Sequence, residues 1–76
     1  MAGHIYKVEE VVGTSAVGVS EAVEAAISRA SQTLKGLDWF EVAGVRGSIE
    51  DGRVAEYQVT VKIGFRLMSE EELTDA

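Results

Sequence analysis

The sequence contains no cysteine and no proline, and it has a single tryptophan and a single histidine among its 76 residues. Without cysteine the chain forms no disulfide, and a thiolate-bound metal and a cysteine nucleophile are both excluded. The sequence also lacks the charged segment followed by an apolar segment that is typical of a signal peptide. It has no apolar run of about 18 residues, which argues against a membrane span. From these absences we expect a cytoplasmic protein with no membrane partner.

The length of 76 residues allows one domain. A core of this size usually supplies only about 3–5 kcal/mol of net stability without help. Because disulfides are absent, association of subunits is the remaining means of stabilising the fold. We therefore expect a homo-oligomer.

Acidic residues are concentrated at the C-terminal end. The formal net charge is −6, and Glu70, Glu71, Glu72 and Asp75 all lie in the last seven residues. The rest of the chain holds seven basic and nine acidic residues, a net charge of −2. We predict a single domain over residues 1–68 and a flexible acidic tail over residues 69–76. Seven scattered basic residues do not form the basic stripe that binds nucleic acid, so nucleic acid is not an expected partner.

Three stretches have the alternation that is typical of strands. Residues 4–12 form the first, and because neither of its faces is purely apolar, the inward face is undecided. Residues 38–49 and 53–67 form the second and third, joined by the strong hairpin signal Asp51-Gly52. The apolar face of the third strand is the predicted core, with Tyr57, Val59, Val61, Ile63, Phe65 and Leu67.

Apolar residues recur at helical spacing over residues 17–35. Thr14 or Ser15 is expected to cap this helix, and Gly36 to end it in a left-handed conformation. The resulting order of strand, helix, strand and strand predicts an α+β fold. One amphipathic helix covers one face of a three-stranded antiparallel sheet, and the other, polar face is open.

Catalytic and nucleotide-loop signals are weak. Gly13 and Gly18 have the spacing that opens a phosphate loop, but Val19-Ser20 follows where that loop needs Lys and then Ser or Thr. The only histidine, His4, lies near a terminus and has no orienting partner in sequence. Adjacent strand residues point to opposite faces, so His4 with neighbouring glutamates makes no metal site. We expect neither an enzyme nor a metal protein.

The residues that remain suit a flat ring. Trp39 offers an indole face, which stacks on other rings with about 0.5–1.5 kcal/mol beyond burial. Gln58 offers a paired donor and acceptor, and Arg46 or Arg66 could hold a phosphate. Each residue also has a structural interpretation without a ligand. Trp39 could be an interface or core residue, and Gln58 could simply face solvent. The arginines could serve solubility or an interface. Trp39 and Arg46 have opposite parity on the second strand, so they share a face only if Gly44 or a neighbour forms a β-bulge.

Four blocks together resemble the dodecins, which are small bacterial and archaeal flavin-binding proteins. The blocks are Val12-Gly13-Thr14-Ser15, Leu37-Asp38-Trp39-Phe40-Glu41-Val42, Val45-Arg46-Gly47, and Tyr57-Gln58-Val59 through Gly64-Phe65-Arg66-Leu67. The likeness runs from Tyr6 to Leu67, with the spacing of the bacterial members. One departure is Ala16-Val17, where many dodecins carry acidic residues after the serine.

The resemblance implies a hollow homododecameric shell that holds FMN or riboflavin as antiparallel pairs between tryptophans of neighbouring subunits. By position, Trp39 would stack on the isoalloxazine and Gln58 would bond to its pyrimidine edge. Arg46 and Arg66 would contact phosphate groups of FMN or coenzyme A. The implied function is flavin storage, buffering and photoprotection, without enzyme activity. The alternative is a homo-oligomeric scaffold that binds coenzyme A or another nucleotide-like ligand but no flavin.

Overall fold

The computed structural model describes residues 3–68. Its elements are β1 (Tyr6–Ser15), α1 (Val19–Ala30), β2 (Leu37–Glu50) and β3 (Arg53–Arg66). The strands form one antiparallel sheet in the order β1-β3-β2, so β3 is central and the other two are edges. The predicted α+β order and three-stranded sheet are confirmed. The tail predicted over residues 69–76 lies outside the described residues.

The core lies between α1 and the odd-numbered residues of β3. It consists of Ala22, Val23, Ala26 and Ala30 from the helix and Val59, Val61, Ile63 and Phe65 from the strand. Four of the six predicted core residues of β3 are therefore buried, whereas Tyr57 is half-buried and Leu67 is exposed. On β1, Val11 pairs with Val61 and Gly13 with Val59, which decides the inward face that the sequence left open.

The first strand is longer than predicted, because it continues through Gly13 to Ser15. Gly13 is buried, and a Cβ on it would overlap the carbonyl oxygen of Ala22 and reach within 2.9 Å of the Ala26 Cβ. The helix therefore packs directly on the bare backbone of this residue. Glycine here serves close packing of helix on strand rather than the turn that its sequence context suggested.

Both predicted ends of the helix are wrong. The N-cap is Gly18 and it makes no side-chain capping bond. The hydroxyl of Ser15 instead accepts from the backbone N–H groups of Val17 at 2.9 Å and Gly18 at 3.4 Å, which stabilises the turn before the helix. At the other end α1 stops at Ala30. Leu34 packs against the core from the turn that follows, so the apolar spacing runs past the helix itself.

The turns use left-handed residues where the sequence places glycine. Gly36 has φ 74°, as predicted, but it directs the chain into β2 after the helix has already ended. In the β2–β3 hairpin, Asp51 has φ 52° and Gly52 has φ 76°. Positive φ at both central residues is the conformation of a two-residue type I′ turn, so the hairpin prediction is confirmed.

Much of β2 is left uncovered, because α1 packs on β1 and β3 but hardly touches β2. Phe40, Val42 and Val45 pair with core residues of β3 and so face the helix side, yet they are 41–53% exposed. The Cα radius of gyration is 15.5 Å, against about 11 Å expected for a compact chain of this length. A single subunit thus leaves apolar surface in water. No helix in residues 3–68 has the length and apolar character needed to cross a bilayer.

Candidate functional site

The candidate site lies on the sheet face opposite the helix, which we call the open face. On β3 this face carries the even-numbered residues from Glu56 to Gly64. Trp39 is paired with Gly64, and Arg46 with Gln58. A register shift between Val42 and Gly44 brings Trp39 and Arg46 to the same face despite their opposite parity. The predicted bulge at Gly44 or a neighbour is therefore confirmed.

Trp39 rests on a glycine of the central strand. A Cβ at Gly64 would overlap three indole atoms, Cε2, Cζ2 and Cδ2, so the ring lies directly against the Gly64 backbone. Trp39 is nevertheless 42% exposed. It belongs neither to the core nor to a freely solvated surface. Gly64 was missed from the sequence, although a glycine in the middle of a central strand often indicates the close approach of another group.

Gln58 joins two charged residues. The Arg46 Nε donates to the Gln58 Oε1 at 2.8 Å, and the Gln58 Nε2 donates to the Glu56 Oε1 at 3.0 Å. Glu56 was also missed, although residues two apart on a strand share a face and this spacing could have identified it. Among residues 3–68, no further hydrogen bond or ion pair engages the Arg46 guanidinium, which leaves its two terminal amino groups available to a ligand.

Arg66 is the last residue of β3, eight residues beyond Gln58 and two beyond Gly64. Its Nη1 is 3.2 Å from the Nδ1 of His4, a contact between the end of β3 and the segment before β1. Arg66 also has a further interaction in the structure. It is therefore a neighbour of Trp39 along the open face and not of the Arg46–Gln58–Glu56 group.

The structure thus divides the predicted site residues between two ends of one face. Gly64, under Trp39, is six residues from Gln58, a separation of about 20 Å along an extended strand. A cavity of about 150 Å³ beside Trp39 is also lined by Ile27 of the helix and by the core residue Ile63, so it lies on the helix side of the sheet. A separate cavity of about 260 Å³ includes Arg46. One chain does not bring Trp39 and Gln58 together.

Comparison with known proteins gives consistent matches over most of the chain. The family model described as Dodecin matches residues 5–68. A dodecin from Thermus thermophilus is 52% identical over 65 residues, covering 86% of this chain and 94% of that protein. The structure of dodecin from Streptomyces coelicolor is 61% identical with a TM-score of 0.87, and the match covers 92% of this chain and 100% of that one. For dodecin from Streptomyces davaonensis the identity is 54%, the TM-score 0.86, and the coverage 90% and 100%.

Proposed function

This chain belongs to the dodecin family, and we propose that it binds flavin, as FMN or riboflavin, on the open face of its sheet. The observation that carries the proposal is the indole of Trp39, supported by the Gly64 backbone and still 42% exposed. A ring held from one side by backbone presents its remaining surface for stacking on a flat, electron-poor ring.

The polar residues of the open face fit the rest of a flavin. Gln58 has donor and acceptor capacity left beyond its bonds to Arg46 and Glu56, and a flavin pyrimidine edge offers N–H and C=O groups side by side. The terminal groups of Arg46 suit the phosphate of FMN or of coenzyme A, because a guanidinium binds phosphate through two parallel bonds. Arg66 would supply a second cation near Trp39.

A bound ring that contacts both Trp39 and Gln58 has to lie between subunits. Because Trp39 and Gln58 lie about 20 Å apart along the strands of one chain, we infer that a bound flavin takes Trp39 from one subunit and Gln58 from a neighbour. The exposed Phe40, Val42 and Val45 provide apolar surface for that association. We propose a hollow homododecamer in which flavins form stacked pairs between tryptophans of neighbouring subunits.

The function that follows is sequestration rather than turnover. A stacked indole can donate an electron to an excited flavin and then take it back, which leaves both rings in the ground state and limits photochemical damage. We propose that the protein stores and buffers flavin in the cytoplasm and protects the cell from its photochemistry. Nucleic acid and membranes have no part in this function.

Two measurements test the proposal. Unfolding the purified protein should release a ligand with flavin absorption bands, and titrating the ligand-free protein into riboflavin or FMN should quench flavin fluorescence. Light scattering should show an oligomer and no stable monomer at micromolar concentration. A colourless protein that leaves flavin fluorescence unchanged would overturn the proposal. If that protein bound coenzyme A, the flavin-free scaffold would be the supported function.

A further inference from the structure

Gln58 lies between a cation that can only donate and an anion that can only accept. Its Oε1 is 2.8 Å from the Arg46 Nε, and its Nε2 is 3.0 Å from the Glu56 Oε1. A guanidinium has no acceptor, and an ionised carboxylate has no donor. Turning the amide over would set N–H against N–H on one side and oxygen against oxygen on the other. The two charged neighbours therefore allow one amide orientation.

The fixed amide has a defined capacity for a ligand. Its oxygen keeps one lone pair after accepting from Arg46, and its nitrogen keeps one N–H after donating to Glu56. One acceptor and one donor match a ring edge with an N–H beside a carbonyl, as in an imide or lactam. A ring whose nitrogen is alkylated has no N–H to donate to the amide oxygen, so it would lose one of these two hydrogen bonds and place its alkyl group against that oxygen.

Of the two charged neighbours, Glu56 is the one that can hold this orientation while ligand is bound. Arg46 is exposed, and its guanidinium could turn towards a ligand phosphate. Glu56 is half-buried on the central strand, two residues from Gln58 and on the same face. Its bond to the Gln58 Nε2 does not compete with an anionic ligand group, because a carboxylate does not bind phosphate.

We propose that Glu56 is a positioning residue that fixes the Gln58 amide and thereby makes the site selective for rings with a free imide or lactam N–H. This inference rests on the proposed function, because it requires Gln58 to meet the edge of the bound ring. Glu56 itself does not touch the ligand. Glu56 is expected to change the ratio of the affinities for two rings that differ only in the group on one nitrogen.

The test compares riboflavin with 3-methylriboflavin, which has the same ring but carries a methyl group on the imide nitrogen. Neither ligand has a phosphate, so direct contacts of Arg46 with an anion do not contribute. Affinities come from quenching of flavin fluorescence in the assembled protein. The parent protein should prefer riboflavin by about tenfold, the effect expected from the loss of one hydrogen bond to the amide.

Glu56→Ala should reduce this preference to about twofold, because only Arg46 then holds the amide, and its exposed side chain can turn into solvent. Glu56→Gln keeps an acceptor oxygen but adds a donor, so its preference should lie between that of Glu56→Ala and that of the parent. Glu10→Ala is the matched control, since Glu10 lies on the open face of β1 and pairs with Lys62, away from Gln58. If Glu56→Ala fails to assemble, Glu56→Val replaces it, because valine favours strands and also has no acceptor.

The outcomes separate this inference from the proposed function. Riboflavin binding with an unchanged preference in Glu56→Ala overturns the role of Glu56 and leaves flavin binding intact. A parent preference near one would mean that Gln58 does not bond to the imide, and this result overturns the inference alone. A parent protein that binds neither ring overturns the proposed function and the inference with it.

Discussion

The indole of Trp39 lies directly against the backbone of Gly64, the residue with which it pairs across β2 and β3. The contact exists because Gly64 has no Cβ, so the central strand itself supports the ring. It also means that the position of the tryptophan depends on a residue with no side chain. Changing that residue is therefore a sharper test of the site than removing the ring.

Gly64→Ala should weaken flavin binding by more than about tenfold while leaving the fold intact. The new Cβ would overlap the indole, and because Trp39 is half-exposed the ring can move outward instead of breaking the core. Fluorescence titration measures the affinity, and circular dichroism checks the fold. Gly44→Ala is the control, because a Cβ there meets nothing within 4 Å. Equal flavin affinity in Gly64→Ala and the parent would show that the contact between the indole and the Gly64 backbone does not matter for binding.

Replacing Trp39 separates stacking from quenching. Trp39→Leu keeps apolar bulk but removes the ring, and by analogy with base stacking it should cost about 1–3 kcal/mol of flavin binding. Trp39→Phe keeps a ring that is a poorer electron donor, so it should retain more affinity than it retains quenching. Steady-state fluorescence and titration measure both. A Trp39→Leu protein that assembles, binds and quenches like the parent would make Trp39 an interface residue only.

A mixed assembly tests whether the two ends of the site come from different subunits. Trp39→Leu and Gln58→Ala should each weaken binding in every site of a uniform assembly, Gln58→Ala by about 1–3 kcal/mol. When equal amounts of both variants are assembled together, some sites should take an intact Trp39 from one variant and an intact Gln58 from the other. Those sites should recover tight binding. A chain carrying both substitutions, mixed with parent subunits, is the control. No recovery in the mixture would mean that a single chain supplies both residues.

Replacing either arginine should show whether its side chain contacts the phosphate or the ring of a bound flavin. Arg46→Ala and Arg66→Ala are each expected to lower affinity for FMN more than for riboflavin, because only FMN brings a phosphate. Parallel titrations with the two flavins give the ratio directly. Lys62→Ala, at a basic residue of the same face, provides the comparison. An equal loss for both flavins would assign the arginines to subunit packing instead.

Gly13→Ala should destabilise the fold without touching the flavin contacts. The added Cβ would overlap a backbone carbonyl of the helix, so α1 has to move away from β1. Overpacking of this kind typically costs about 1–3 kcal/mol. Urea unfolding at one protein concentration measures the change, again with Gly44→Ala as the control. Unchanged stability would show that the helix can lift from the sheet at little cost.

Much of the fold follows from periodicity, and much of the site does not. Alternation along β3 predicted the buried Val59, Val61 and Ile63. A shared face for Trp39 and Arg46 required a bulge, and the structure contains one. Periodicity reports which face a residue occupies but not what it touches. It could not show that Leu34 packs from a turn, that Gly64 supports a ring, or that Glu56 orients Gln58. Those relationships depend on register and close approach across strands.

The alternation of side chains along β3 also separates the residues that form the core from those that form the candidate site. Odd-numbered residues such as Val59 and Val61 meet the helix, and even-numbered residues such as Gln58 and Gly64 meet the open face. A substitution at an even position therefore leaves the packing of the helix unchanged, and the reverse holds at an odd position. Ligand preference can diverge among relatives by changes along the even-numbered residues of this central strand, while the architecture is inherited intact. An engineer who wishes to exchange the ligand has those residues to redesign and need not alter the core.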